Sequence, residues 1–211
     1  MVTGYSRNRT IDHPNYCHVE IDLGDLDKVK SLTFEPVISP EKIVLINNSG
    51  TLGAVKHIGG VDAETLENAC NVNLVAPMIM TNNFIKAYRE VEAEKIIISV
   101  SSGAAQNPYD GWGPYCTTKA GLEMFARVIA TEQEVQNSKC PFKAFSIAPG
   151  VVNTQMQDEL RESDIAHFSK MQKFVDLKEN DHLRPAREVA EKYLEIIEDT
   201  SQLPGVVWRV P

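Results

Sequence analysis

Apolar residues along this chain change their period several times, and the changes mark out its elements. Short runs rich in β-branched residues read as strands: YCHVEI at 16–21, KIVLIN at 42–47, KIIISVS at 95–101 and FKAFSIA at 142–148. The middle two are almost continuously apolar, the pattern of strands buried on both faces of a parallel sheet. Longer stretches with helical spacing lie between them, at 62–90, 114–137 and 186–199, with a weaker one near 156–174. In the second, Leu122, Phe125, Ala126 and Ile129 fall on one stripe. Strands alternating with helices predict βαβ units and a doubly wound, Rossmann-like α/β sheet. No repeat, low-complexity segment or linker interrupts the pattern, so residues 1–211 are expected to form a single domain.

In such a sheet, ligands bind beyond the carboxyl ends of the strands. Asn47, Asn48, Ser49 and Gly50 follow the second run, Ser101, Ser102 and Gly103 the third, and Pro149 and Gly150 the fourth. Turn residues end strands in any fold, but three successive ends of small polar residues point to a nucleotide crevice. After the third comes GWGPYCTTKAG, which opens the helical stretch at 114–137. Tyr115 and Lys119 stand four residues apart there, which puts a phenol and an ammonium on one helix face.

Composition narrows the picture. The chain has 211 residues, 43% hydrophobic and 24% charged, enough for one substantial core. A net charge of −8 argues against nucleic acid or an anionic membrane surface as partner. The cysteines Cys17, Cys70, Cys116 and Cys140 form no C-x-x-C pair, and the histidines show no metal-ligand spacing. The longest apolar stretch, VNLVAPMIM at 72–80, is interrupted by Asn73 and Pro77 and is short for a bilayer. MVTGYSRNRT has no apolar signal core. A cytoplasmic protein with free thiols, and with no metal, is the expectation.

With these residues in view, the sequence resembles the short-chain dehydrogenase/reductase family over nearly its whole length. INNSGTLG resembles the family's N-N-A-G turn, with Ser49 in place of the alanine. SVSSGAAQNPYDGWGPYCTTKAG resembles its serine strand followed by Y-x-x-x-K, with Ser102 thirteen residues ahead of Tyr115. IAPGVVNTQM resembles the P-G-x-x-x-T segment over the nicotinamide. A lone Y-x-x-x-K is weak, whereas ordered motifs at matching spacing are specific. Within the family, SSGAAQNPYDGW and APGVVNTQMQDELRE are most like sepiapterin-reductase-like and benzil-reductase-like carbonyl reductases of fungi and bacteria.

The resemblance implies reduction of a small apolar ketone or diketone by hydride transfer, with Tyr115 as proton donor. A tyrosine, with an ordinary pKa of about 10, is a poor acid at neutral pH; a nearby Lys119 and an oxidised nicotinamide are expected to lower it. By the same resemblance, Ser102 hydrogen-bonds the substrate carbonyl and Lys119 also holds the nicotinamide ribose. Asn73 supports a water-mediated proton path; read alone, it is an ordinary polar helix residue. Asp22 matches the acid that caps the adenine amino group, against the plain reading of a surface turn aspartate. Asn47 and Gly50 line the adenosine side, and Pro149, Val152 and Thr154 meet the nicotinamide carboxamide and phosphate. Arg7 matches the end of the second family strand; an arginine there suits a 2′-phosphate, so NADP(H) is preferred over NAD(H). Tyr109, Trp112 and Met156 are candidate linings of the carbonyl pocket, with core or dimer packing as the alternative. A homodimer through the stretches at 62–90 and 114–137 is the family expectation.

One departure is large. The family opens with a strand and the glycine-rich turn T-G-x-x-x-G-x-G, whose amides hold the pyrophosphate. Here VTG at 2–4 runs straight into YSRN, and Val2–Arg7 reads as the second family strand. The expectation is therefore an incomplete fold lacking the first β-α unit, with unpaired backbone where the absent central strand would lie. Likewise LPGVVWRVP resembles the last family strand without the tail that follows it. Two further readings stay open: a catalytically inactive remnant or interaction module of the same fold, and an NADH-linked alcohol oxidation.

Overall fold

The computed structural model describes residues 1–211 and builds its principal sheet from the apolar runs. Strands β3 (Lys42–Asn47), β4 (Glu94–Val100), β5 (Phe142–Ala148) and β6 (Val207–Arg209) lie side by side in that order, all parallel. Burial on both faces explains why β4 is apolar throughout. Ile97 packs with Phe84, Tyr88 and Ile129 on one face, while Ile96 and Ile98 pack with Val189, Tyr193 and Ile196 on the other. The first set comes from helices α3 (Ala76–Tyr88) and α4 (Gly113–Gln136), the second from α7 (Ala186–Glu198). Helices on both faces make the sheet doubly wound, and the fold is the expected Rossmann-like α/β domain.

Lys95 sits fully buried in β4 on the α3–α4 face. Its ammonium donates to the carbonyls of Tyr88, Arg89 and Val91 at 3.0–3.3 Å and lies 4.7 Å from the Phe142 ring centroid. These are the carbonyls at and just beyond the end of α3, where a cation meets the negative end of the helix dipole.

The sheet departs from a continuous one. Strands β1 (Val2–Ser6) and β2 (Tyr16–Glu20) form a separate parallel pair, and β1 is not bonded to β3. Helix α3 holds the two sheets together. Ala76 and Met80 pack with Ile21 and Val29 beside Tyr5, and Phe84 packs with Ile43 and Leu45. Val29 belongs to a helix not anticipated from periodicity, α1 (Leu26–Ser31), whose amino end is capped by the Asp25 carboxylate.

Two other expected helices are broken. The 62–90 stretch divides into α2 (Ala63–Cys70), a π-helical turn (Asn71–Val75) and α3. Pro77 has no N–H to give the Asn73 carbonyl, and Ala76 N–H bonds Asn71 instead, one residue further back than in an α-helix. The 156–174 stretch becomes α5 (Gln155–Arg161) and α6 (Met171–Glu179), separated by turns. No helix is long and apolar enough to cross a membrane.

Candidate active site

The chain enters α4 through a turn that only glycine can make. Gly111 has φ +75°, and a Cβ there would lie 2.3 Å from the His167 carbonyl oxygen. Pro114 fixes the first turn of the helix. Tyr115 and Lys119 follow on the inward face, both buried, and the same stripe continues through Leu122, Ala126 and Ile129 into the core. The spacing that drew attention to the pair thus also anchors it.

Lys119 reaches the carboxyl end of β4, where Nζ donates to the Val100 carbonyl at 2.8 Å. It lies 5.6 Å from the Tyr115 ring centroid. Burial lowers its pKa to about 8. Ser102, just past β4, accepts a hydrogen bond from Ala104 N–H at 3.2 Å and caps a short 3₁₀ turn. In the polypeptide alone, the pKa of Tyr115 is shifted upward. Burial holds its hydroxyl above the ordinary tyrosine value, and the neighbouring Ser102 hydroxyl offsets only part of this. Desolvation is the largest cause, and the Lys119 ammonium is engaged by the Val100 carbonyl.

Asn73 lies in the π-helical turn with no exposed surface. Its Oδ1 accepts from Thr51 N–H at 2.8 Å, and its Nδ2 donates to the Thr51 carbonyl at 2.8 Å and to Thr118 Oγ1 at 3.2 Å. Both amide donors are therefore spent on tying the loop after β3 to α4. Thr51 and Thr118 were not singled out from sequence, because only the fold brings them to Asn73. Gly50 sits between the two groups: a Cβ there would stand 3.5 Å from Lys119 Nζ and 3.6 Å from Asn73 Oδ1. A bare backbone keeps that space open.

Tyr109, Trp112 and Met156 come together with Tyr115 in one aromatic cluster. Trp112 stacks on Tyr109 with centroids 4.8 Å apart and meets Tyr115 edge-on at 5.8 Å. On its remaining sides are Phe168 at 4.9 Å and Phe174 at 5.5 Å, neither predicted. Trp112 is buried, so it belongs to the packed wall of the site, with Tyr109 and Met156 partly open beside it.

The predicted cofactor residues divide by surroundings. Pro149 and Val152 follow β5; Val152 bridges to Arg184, and Thr154 stands exposed at the start of α5. Asn47 is buried at the end of β3, and its Nδ2 donates to Thr81 Oγ1 on α3 at 2.9 Å, which turns it inward toward that helix. Asp22 lies beyond β2 and accepts from Gly24 N–H at 2.8 Å in a local turn. Arg7 is exposed just beyond β1.

These residues fit the nicotinamide end of a dinucleotide. Lys119 and the open backbone at Gly50 stand together at the carboxyl ends of β3 and β4, and the buried Ser101 hydroxyl, without a protein partner, follows β4 directly. At the other end, Arg7 and Asp22 flank the carboxyl ends of β1 and β2, with no glycine-rich turn between β1 and β3.

Comparison with known proteins gives the family. Residues 8–165 match the short chain dehydrogenase family. A benzil reductase ((S)-benzoin forming) of Bacillus cereus is 39% identical over 196 residues, covering 90% of this chain and 78% of that protein. Its counterpart in Bacillus subtilis (strain 168) is 33% identical over 204 residues, covering 93% and 83%. A short-chain dehydrogenase/reductase of Saccharomyces cerevisiae shares the fold, with a TM-score of 0.78 at 23% identity, covering 98% of this chain and 84% of that one. The chain belongs to the short-chain dehydrogenase family, and is a carbonyl oxidoreductase of it.

Proposed function

We propose that this protein reduces a small apolar ketone or diketone, using NADPH, with Tyr115 as the proton donor. The observation that carries the reading is the burial of Tyr115 and Lys119 on one face of α4, at the carboxyl end of β4 and beside Ser102. The relatives' benzil reductase activity supports the diketone, and the aromatic wall around Trp112 suits it.

The reduced nicotinamide, when bound, supplies the hydride. The residues supply the rest. Ser102 donates a hydrogen bond to the substrate carbonyl and orients it. Tyr115 Oη delivers the proton to the developing alkoxide; its raised pKa keeps it protonated, ready to act as an acid. Lys119 puts positive charge near the phenolate left behind and holds the nicotinamide ribose. Asn73 holds the Thr51 loop against α4 and so keeps Gly50 clear of Lys119. Arg7 meets the 2′-phosphate, and Asp22 the adenine. Met124 and Val128, exposed on the outer face of α4, support a homodimer through that helix, and four free cysteines suit the cytoplasm.

The test is NADPH oxidation with benzil by the wild type and by Tyr115→Phe. The phenylalanine keeps the ring in its cluster and removes only the acid, so turnover is expected to fall by roughly 10²–10⁴. Equal turnover overturns the reading.

The divided sheet favours one other reading, a catalytically inactive remnant or protein-interaction module of the same fold that has lost its cofactor site. Fluorescence titration with NADPH decides between them. Saturable micromolar binding excludes the module; no binding by a folded sample supports it.

A further inference from the structure

Behind the loop that carries Val152 lies a cavity of about 370 Å³, within the size range of small-molecule sites. Val151 and Leu177 form an apolar wall that is shared with the aromatic cluster around Tyr115. Arg184, Arg209 and His182 line it as well, with Gly150 among them.

Neither guanidinium is spent on a carboxylate. The arginine ion pairs belong to Arg9, Arg89, Arg127, Arg161 and Arg187. In a chain of net charge −8, two arginines without an ion-pair partner around one hollow are a local reversal of sign.

Both arginines stand on backbone fixed to the end of β5. Arg184 N–H donates to the Val151 carbonyl at 3.1 Å, and its own carbonyl accepts from Asn153 N–H at 2.9 Å. Arg209 pairs with Ala148 in register, and the next residue, Val210, donates to the Ala148 carbonyl at 2.9 Å. Gly150 has φ +83°, and Arg184 Nε lies 4.0 Å from where its Cβ would be, so the guanidinium passes over bare main chain. Two cationic side chains on separate segments, both tied to the carboxyl end of β5, match a planar acid, to which arginine can present its fork of N–H groups.

We propose that this cavity is an anion subsite that receives the acidic group of the carbonyl substrate, the apolar body lying along Val151 toward the Tyr115 cluster. The substrate class is then an apolar ketone or diketone bearing a carboxylate. This rests on the carbonyl-reductase reading above.

The probes are 4-carboxybenzil and its methyl ester, measured by calorimetric titration and by NADPH oxidation, with inorganic phosphate as competitor. The acid is expected to bind about tenfold more tightly than the ester, the effect of one charge-assisted hydrogen bond. Phosphate is expected to displace the acid and leave the ester alone. Arg184→Met and Arg209→Met should each erase the preference without moving the ester's binding or kcat. Should Arg184→Met not fold, Arg209→Met carries the test, since Arg209 is exposed on the last strand. Equal affinity for acid and ester, or a preference that survives both substitutions, overturns the subsite. Phosphate binding that depends on the arginines but does not compete with the acid assigns the cavity to a free anion and also overturns it. An arginine-dependent preference in binding, with no NADPH oxidation by either compound, leaves the subsite standing and counts against the carbonyl-reductase reading. Oxidation with equal KM for both does the reverse.

Discussion

Lys119 and Arg7 are both cations at the carboxyl end of a parallel strand, in opposite surroundings. Lys119 is 3% exposed, bonded to Val100 and flanked by Gly50, with Asn73 tying the adjacent loop to α4. Arg7 is exposed beyond a two-stranded sheet, with no ion pair. The Lys119 region draws its geometry from the core, so any change there disturbs packing and chemistry together. The Arg7 region hangs on α3 through the Ile21–Val29–Met80 cluster and can change its surface residues at little cost in stability. The position proposed for the reaction is thus fixed by burial, and the position proposed to select the cofactor is left at the margin.

The largest effect is expected where the site is most deeply packed. Trp112→Ala removes the ring that touches Tyr109, Tyr115, Phe168 and Phe174. A loss of about 3–5 kcal/mol is expected from such a truncation. A domain of this length then melts roughly 10 °C lower. A shift below about 2 °C, under 1 kcal/mol by the same scaling, would show that the aromatic wall is not part of the core and would break the comparison.

Asn73→Ala comes next. It leaves Thr51 N–H and its carbonyl without partners in a part-buried loop. The expected cost is about 1–3 kcal/mol by urea unfolding. A smaller loss would mean that water replaces the amide there, and that the loop after β3 is as loosely held as the β1–β2 margin.

The pH dependence sharpens the contrast. Burial brings the Lys119 pKa down to about 8. Below that pH the folded protein carries a buried ammonium; in the unfolded chain the same lysine stays charged up to about 10.4. Between these values the unfolded state binds more protons at this lysine, so its own contribution to stability rises with pH. Cys116 and the buried tyrosines, whose pKa values burial raises, contribute in the opposite direction. The expected signature is a wild-type unfolding free energy that gains on that of Lys119→Met as pH rises above about 8, while the wild-type kcat/KM falls over the same range if Lys119 must be charged. A difference between the two proteins that does not change with pH would rule out Lys119 as the group responsible.

The parts of this architecture that depend on local pattern were legible in the sequence. KIVLIN and KIIISVS are strands because β-branched residues fill both faces, and Tyr115 and Lys119 share a face because four residues make about one helical turn. Features resting on non-local contacts were not. Asn47 bonds Thr81, thirty-four residues on, and nothing in INNSGTLG foretells that inward turn. The π-helical turn was hidden within a plausible helical period; the missing N–H of Pro77 was its one local signal. Phe168 and Phe174 sit in a weakly periodic stretch whose break into α5 and α6 follows from their packing onto Trp112. Asp25 ahead of LDKVKS was a readable cap that a search for longer periods passes over.

Arg7→Ala is the smallest expected change in stability and the most informative about the margin. Arg7 makes no ion pair and stands outside β1, so its removal should alter unfolding by no more than about 0.5 kcal/mol. If its guanidinium meets a 2′-phosphate, NADPH binding should weaken about tenfold or more while NADH binding stays unchanged, since only the phosphate ester is lost to the variant. Titrating both cofactors against wild type and variant separates the outcomes. Equal weakening of both would make Arg7 a general attractor of anions. No change in either would move the 2′-phosphate away from the end of β1. A melting temperature lowered by several degrees would mean that the β1–β2 margin is held by more than the α3 cluster, and the contrast between the two cations would fail on its structural side.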